Sequence, residues 1–141
     1  MRPTPIFVAC LGLAIVSGCA ERDTQHGHVR GLVSIDGVPL AQGSILWIPV
    51  DGNLGTTTGG TIADGHYELR GDEGPAVGWN RIEIRSPRKS GRMIPKPLAP
   101  PGEMVEADEE GVAKRFNTSS RLRVHVPQGK STHDFEVESR P

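Results

Sequence analysis

His28-Val29-Arg30-Gly31-Leu32-Val33-Ser34-Ile35-Asp36-Gly37 is the stretch that decides the fold class of this 141-residue chain. Val29, Gly31, Val33 and Ile35 fall on one side of an extended strand, with His28, Arg30, Ser34 and Asp36 on the other. A period of two with one apolar side marks a half-buried strand. Asp36-Gly37 then supplies the residue types that best accept the positive φ angles of a tight hairpin turn.

The same syntax recurs downstream. Ser44 to Val50 is apolar on both sides through Ile45, Leu46, Trp47 and Ile48, which suits an interior strand. Asp51-Gly52-Asn53-Leu54-Gly55 breaks the chain, Thr56 to Ala63 returns as a short strand rich in Thr and Gly, and Asp64-Gly65 turns it into His66-Tyr67-Glu68-Leu69. Trp79 to Ser86 sets Ile82 and Ile84 against Arg81, Glu83 and Arg85. Two last strands point Leu122, Val124 and Val126, then Phe135 and Val137, inward, with His133 on the same side as Phe135. About seven short strands separated by turns, with no amphipathic helix, predict an all-β single sandwich.

Between Ser86 and Lys114 the pattern stops. Residues 86–114 carry Pro87, Pro95, Pro97, Pro100 and Pro101, and read as a long Pro-rich loop before the last two strands. Glu103 to Gly111 contains good helix formers but no apolar stripe. The charges are segregated: Arg85, Arg88, Lys89, Arg92 and Lys96 come first, then Glu103, Glu106, Asp108, Glu109 and Glu110. Either the basic residues form an interaction patch for an anionic partner such as lipid headgroups or an acidic polymer, or the two blocks neutralise each other.

The N-terminus carries an address. Arg2 precedes an apolar run from Ile6 to Val16, too short for the roughly twenty residues that span a bilayer, and small residues follow. Ile15-Val16-Ser17-Gly18-Cys19 resembles the lipobox of bacterial lipoproteins, in which the cysteine becomes the lipidated first residue. The expectation is a signal peptide over 1–18, lipidation at Cys19 and a polar tether over 19–27. The protein would then be exported and membrane-anchored, at the outer membrane or the periplasmic face of the cell envelope. Cys10 would leave with the signal, so no internal disulfide is expected. The remaining 123 residues suit one domain. Their 15 basic against 17 acidic residues argue against a general nucleic-acid binder, so no nucleic-acid partner is expected.

Gly31-Leu32-Val33-Ser34-Ile35-Asp36-Gly37-Val38-Pro39-Leu40, Gly43-Ser44-Ile45 and Ala63-Asp64-Gly65-His66-Tyr67-Glu68-Leu69 together resemble the carboxypeptidase regulatory-like domain. Gly78-Trp79-Asn80-Arg81-Ile82-Glu83-Ile84 and Arg115-Phe116-Asn117 with Ser120 and Leu122 are similar to segments of small lipoproteins abundant in planctomycete bacteria. Ala63 stands where that pattern has Thr, and Phe116 where it has Tyr. The resemblance covers most of residues 28–138, leaving 139–141 as a tail. It implies a transthyretin-like (prealbumin-like) β-sandwich without catalysis.

Chemistry outside that frame is sparse. His26, His28, His66, His125 and His133 could in principle gather a metal, yet the one close pair, His26-x-His28, has no Cys, Asp or Glu at metal-site spacing. No G-x-S-x-G elbow frames a serine. Asp51-Gly52-Asn53 lacks the further ligands of a calcium loop. No catalytic residue, metal or cofactor is assigned. The expected function is a lipid-anchored, non-catalytic binding or structural module of the envelope. It would hold the membrane through its lipid and take an envelope protein or polysaccharide as partner. The alternative is an envelope metal-binding protein or enzyme whose site joins the histidines to the 86–114 loop.

Overall fold

Alternation and turn chemistry produce an all-β molecule whose strands follow the apolar pattern closely. The structure, a computed structural model, describes residues 25–141, so the apolar segment, Cys10 and Cys19 lie outside the described residues. Among the described residues the strands are β1 (His28–Ile35), β2 (Val38–Pro39), β3 (Gln42–Pro49), β4 (Thr58–Ala63), β5 (His66–Leu69), β6 (Gly78–Arg85), β7 (Pro87–Pro95), β8 (Met104–Glu110), β9 (Arg123–Val126), β10 (Lys130–Thr132) and β11 (Phe135–Val137). One large sheet runs β10-β1-β5-β4-β3-β6-β9, with β2 and β11 also paired to β1. It is antiparallel except that β10 and β11 run parallel to β1. β7 and β8 form a separate two-stranded sheet.

The large sheet curls over its own inner face. Trp47 on β3 lies 6.1 Å from Phe135 on β11 and 6.3 Å from Tyr67 on β5 between ring centroids, although β11 and β3 are well separated in strand order. β3 lies between β4 and β6, with Ile45 and Trp47 fully buried on one face and Leu46 and Ile48 half-buried on the other. Val29, Val33, Leu69, Ile82, Ile84 and Val137 complete the expected core, with Ile35, Leu122, Val124 and Phe135 packed at its margin. Leu40, Ile62, Val112 and Val126 also join it. Removing such surface from water supplies roughly 25 cal/mol per Å².

The two Asp-Gly turns that open the family resemblance lock together. Asp36-Gly37 and Asp64-Gly65 both hold positive φ at both residues. Val33 N–H donates to Gly65 O (2.7 Å), Gly65 N–H to Leu40 O (2.7 Å), and Leu40 N–H to Val33 O (2.9 Å), a closed cycle of three backbone bonds. A Cβ at Gly65 would meet Pro39 Cβ at 3.0 Å. The second motif is likewise structural. Asn117 is buried, its amide donating to Val112 O (3.1 Å) and its carbonyl accepting from Thr118 N–H (2.6 Å). Ser120 Oγ accepts from Leu122 N–H at 3.2 Å.

Residues 86–114 are not a loop without strands. β7 and β8 pair from Pro87↔Glu110 to Pro95↔Met104, with an irregularity between Lys89 and Met93. The strands escaped the sequence pattern because neither face of most of this ribbon packs on a core, so no apolar period is required. The same pairing overrides the helix propensity of Glu103 to Gly111. Pairing also extends past the expected ends of the domain. Gly27 N–H donates to Pro75 O and Val77 N–H to Gln25 O, so the last residues of the expected tether belong to the fold. In the expected tail, Arg140 N–H donates to Gly111 O.

At Gly31 the C-terminal segment crosses so closely that a Cβ would lie 1.9 Å from His133 O. Tyr67, the cross-strand partner of Gly31, donates its hydroxyl to that same oxygen at 2.6 Å. Gly31→Ala is therefore expected to destabilise the protein by about 1–3 kcal/mol through backbone displacement. Ile84→Ala, which empties part of the core, is expected to cost about 2–5 kcal/mol. Urea denaturation followed by circular dichroism measures both, and a Gly31→Ala midpoint equal to that of the unsubstituted protein would show that the crossing is not tight.

Candidate functional site

β1 carries Arg30, Leu32 and Ser34 outward, and the strands on either side of it build the walls of two adjoining hollows. The first, about 520 Å³, is lined by Arg30, Leu32, Thr61, His66, Glu68 and Asp134. The second, about 640 Å³, is lined by Leu32, Pro39, Asp64, Asp134, Phe135 and Glu136, among others. Leu32, His66 and Asp134 border both, so the hollows form one groove. Its second half carries three carboxylates and no lysine or arginine.

The polar groups here are largely engaged in holding the fold. Asp134 Oδ1 accepts from Leu32 N–H at 2.8 Å. His28 Nε2 lies 2.6 Å from Glu68 Oε1, and the hydrogen bond to His28 holds the Glu68 carboxyl below its ordinary value. Burial, with the nearby Asp134 carboxylate adding to it, pushes the Tyr67 hydroxyl well above the usual phenol range. Tyr67 therefore stays protonated and donates to His133 O across the ordinary pH range.

The histidines are dispersed. His26 Nδ1 lies 2.7 Å from Gly74 O, and His28 faces Glu68. His66 borders the groove, His125 meets Trp79 edge-on at 5.4 Å, and His133 packs against Trp47 at 5.6 Å. Among the described residues, no three His, Cys, Asp or Glu side chains converge to hold a metal.

The basic residues singled out from sequence do not form one free patch. Arg85 Nη2 pairs with Glu83 Oε2 at 3.1 Å on β6. On the hairpin, Arg88 pairs with Glu109 (3.0 Å), Lys89 with Asp108 (2.8 Å) and Lys96 with Glu103 (3.2 Å). Arg92 makes no ion pair among the described residues. The segregation of charge in the sequence thus becomes pairing across two antiparallel strands.

Sequence reasoning missed the hairpin tip. Lys96 N–H donates to Glu103 O (2.9 Å), and two turns follow beyond that bond. Pro100 to Glu103 is closed by Glu103 N–H to Pro100 O, with Gly102 at φ 97 in the third position. Lys96 to Ala99 is closed by Ala99 N–H to Lys96 O, with Leu98 in the corresponding position at φ 61. Such type II turns call for glycine there. A side chain in the left-handed region costs about 1–2 kcal/mol, yet Leu98 is fully exposed and gains no packing in return. Met93 and Met104 are exposed just below it. The legible signal was Pro97-Leu98-Ala99-Pro100-Pro101-Gly102, an uncharged run between Lys96 and Glu103.

No known protein family, curated protein or solved structure matches this chain.

His133 supplies a test of how tightly the inner aromatic cluster is packed. Burial holds its imidazole below the ordinary value of 6.5, opposed in part by Asp134. Below pH 6.5 the unfolded chain takes up a proton that the folded ring resists, so this residue's contribution to stability falls as pH drops through that range and is level above it. His133→Phe should flatten the dependence of urea stability on pH between about 6.5 and 5. The carboxylates Glu68 and Asp36, whose values are lowered, act only below their ordinary 4.5 and 3.8. An unchanged slope between pH 5 and 6.5 would show that His133 is not the titrating group.

Proposed function

We propose that this protein is an exported, lipid-anchored, non-catalytic β-sandwich of transthyretin-like topology, serving as a binding or structural module of the cell envelope. The observation that carries this reading is the polarity of the fold. Residues 25–27 pair with 75–77, beside the start of β6. The β7-β8 hairpin leaves from the other end of β6, about 27 Å away along an eight-residue strand. A chain tethered through Cys19 would hold one end of the domain at the membrane and present the hairpin outward. The Asp-Gly cycle, Tyr67 and Asn117 use the residues of the carboxypeptidase regulatory-like resemblance as structural parts, which suits a module without chemistry of its own. A groove whose carboxylate Asp134 is engaged by a backbone amide suits binding better than catalysis.

The anchor is tested in the full-length protein expressed in a lipoprotein-processing bacterium. Cys19→Ala should abolish incorporation of radiolabelled or alkynyl fatty acid and leave the protein unprocessed or released from the membrane fraction. Stable retention needs more than one acyl chain, because a single chain binds only marginally. Acyl labelling that survives the substitution would overturn the assignment.

A further inference from the structure

We propose that the hairpin tip carrying Leu98 docks into the acidic groove beside Leu32 on a second copy of this chain, joining molecules head to tail. The argument begins with Leu98 itself. It is an apolar side chain in a turn position suited to glycine, fully exposed, and contacting nothing that explains its presence. Nor is the tip a place where chain merely reverses, because the neighbouring turn at Gly102 follows the ordinary rule. A strained, exposed leucine at the end of a projecting arm fits a knob whose partner lies elsewhere.

The arm is built to reach. Among the described residues, every side-chain hydrogen bond and ion pair of residues 88–109 stays within the hairpin, and none of these residues belongs to the core cluster. Its ladder runs the length of the seven-residue β8, about 23 Å, because the irregularity between Lys89 and Met93 takes up two residues of β7. β7 and β8 pair with each other alone, and the exposed Leu98 at their end is open to a neighbour.

The groove complements the tip in both polarity and charge. Leu32 is a large exposed apolar residue on the outer side of β1, and Pro39 and Phe135 flank it. Asp64, Asp134 and Glu136 ring this floor without a lysine or arginine among the lining residues. From Gly91 to Gly102 the arm carries Arg92 and Lys96 and no acid. Among the described residues Arg92 has no ion-pair partner of its own. Lys96 is shared with Glu103, so an apolar knob with one unpaired arginine behind it faces an apolar floor with an acidic rim. A bilayer is the poorer occupant, since Leu98, Met93, Met104 and the single unpaired Arg92 form a small patch with none of the length of an amphipathic membrane-binding face. The contact is heterologous, so copies can continue as a chain rather than stop at a dimer.

The test uses the full-length protein in native envelopes. Leu98→Cys and Leu32→Cys, placed on separately tagged copies and expressed together, should give an oxidative crosslink between the two tags. Leu98→Cys with Leu54→Cys, exposed at a distance from the groove, should not. In detergent solution, Leu98→Gly should leave the melting temperature unchanged or raised, because glycine relieves the strained turn. The same variant should weaken self-association about ten- to hundredfold, the loss of one buried leucine. High salt should weaken the association of the unsubstituted protein. Equal crosslinking to Leu32→Cys and Leu54→Cys, or association unaltered by Leu98→Gly, would overturn the proposal. So would a fluorophore on Leu98→Cys that shifts to the blue on anionic phosphatidylglycerol vesicles with no self-association, which would give the tip to a bilayer instead. The self-association measured in detergent solution does not depend on lipid at Cys19, so a failed anchor and a failed contact are told apart.

Discussion

The curled sheet depends on the absence of a side chain at Gly31. β1 is paired on both edges, with β5 and β2 on one side and β10 and β11 on the other. The C-terminal segment keeps one register along β1 before and after His133, but lifts out of the ladder at His133–Asp134. Its His133 carbonyl turns over Gly31 to accept the Tyr67 hydroxyl, while the Asp134 carboxylate takes the Leu32 N–H left behind. The His133 carbonyl and the Leu32 N–H displaced by the detour each find a side chain in exchange. Buried polar groups are tolerated only on that condition.

This exchange places the aromatic cluster. With His133 held over Gly31, its ring packs on Trp47, and Phe135 reaches both Trp47 and Tyr67. Tilted and edge-on contacts of this kind add to simple burial. They bridge β3 to β11 across the curl, so the inner face is closed by four rings rather than by backbone pairing. The Asp-Gly cycle does comparable work at one end, tying Val33, Leu40 and Gly65 by main-chain bonds that need only the right turn geometry. The groove outside β1 follows from both: Asp134 stands at its centre because the strand detours there, and Pro39 and Asp64 edge it because the turns meet there.

The hairpin obeys different physics. Its strands are held by their own ladder and by ion pairs across it, each of little worth at an exposed surface. Ser90 Oγ donating to Ala107 O and Gly91 N–H donating to Glu106 Oε1 fasten the irregular stretch between Lys89 and Met93. An arm of this kind can vary its tip without disturbing the core. That freedom permits a leucine where the turn calls for glycine.

The sequence by itself determined the all-β class, the inward residues of the large sheet and the main turns. Where one strand face meets a core, burial forces a period of two, and Asp-Gly marks the positive φ of each reversal. Val29, Val33, Ile82 and Ile84 were legible for that reason, and Ile45 and Trp47 because their run is apolar on both sides, as an interior strand is. β7 and β8 were not, because a ribbon packed on a core along little of its length leaves no such period, and the charges that pair across it looked instead like two opposing blocks. Only the tertiary structure decided that Gly31 is a crossing point and that Arg88, Lys89 and Lys96 have partners. It also brought Leu32, Asp64, Asp134 and Glu136 to one groove. These facts depend on residues distant in the chain meeting in space, and local pattern carries no record of the partner.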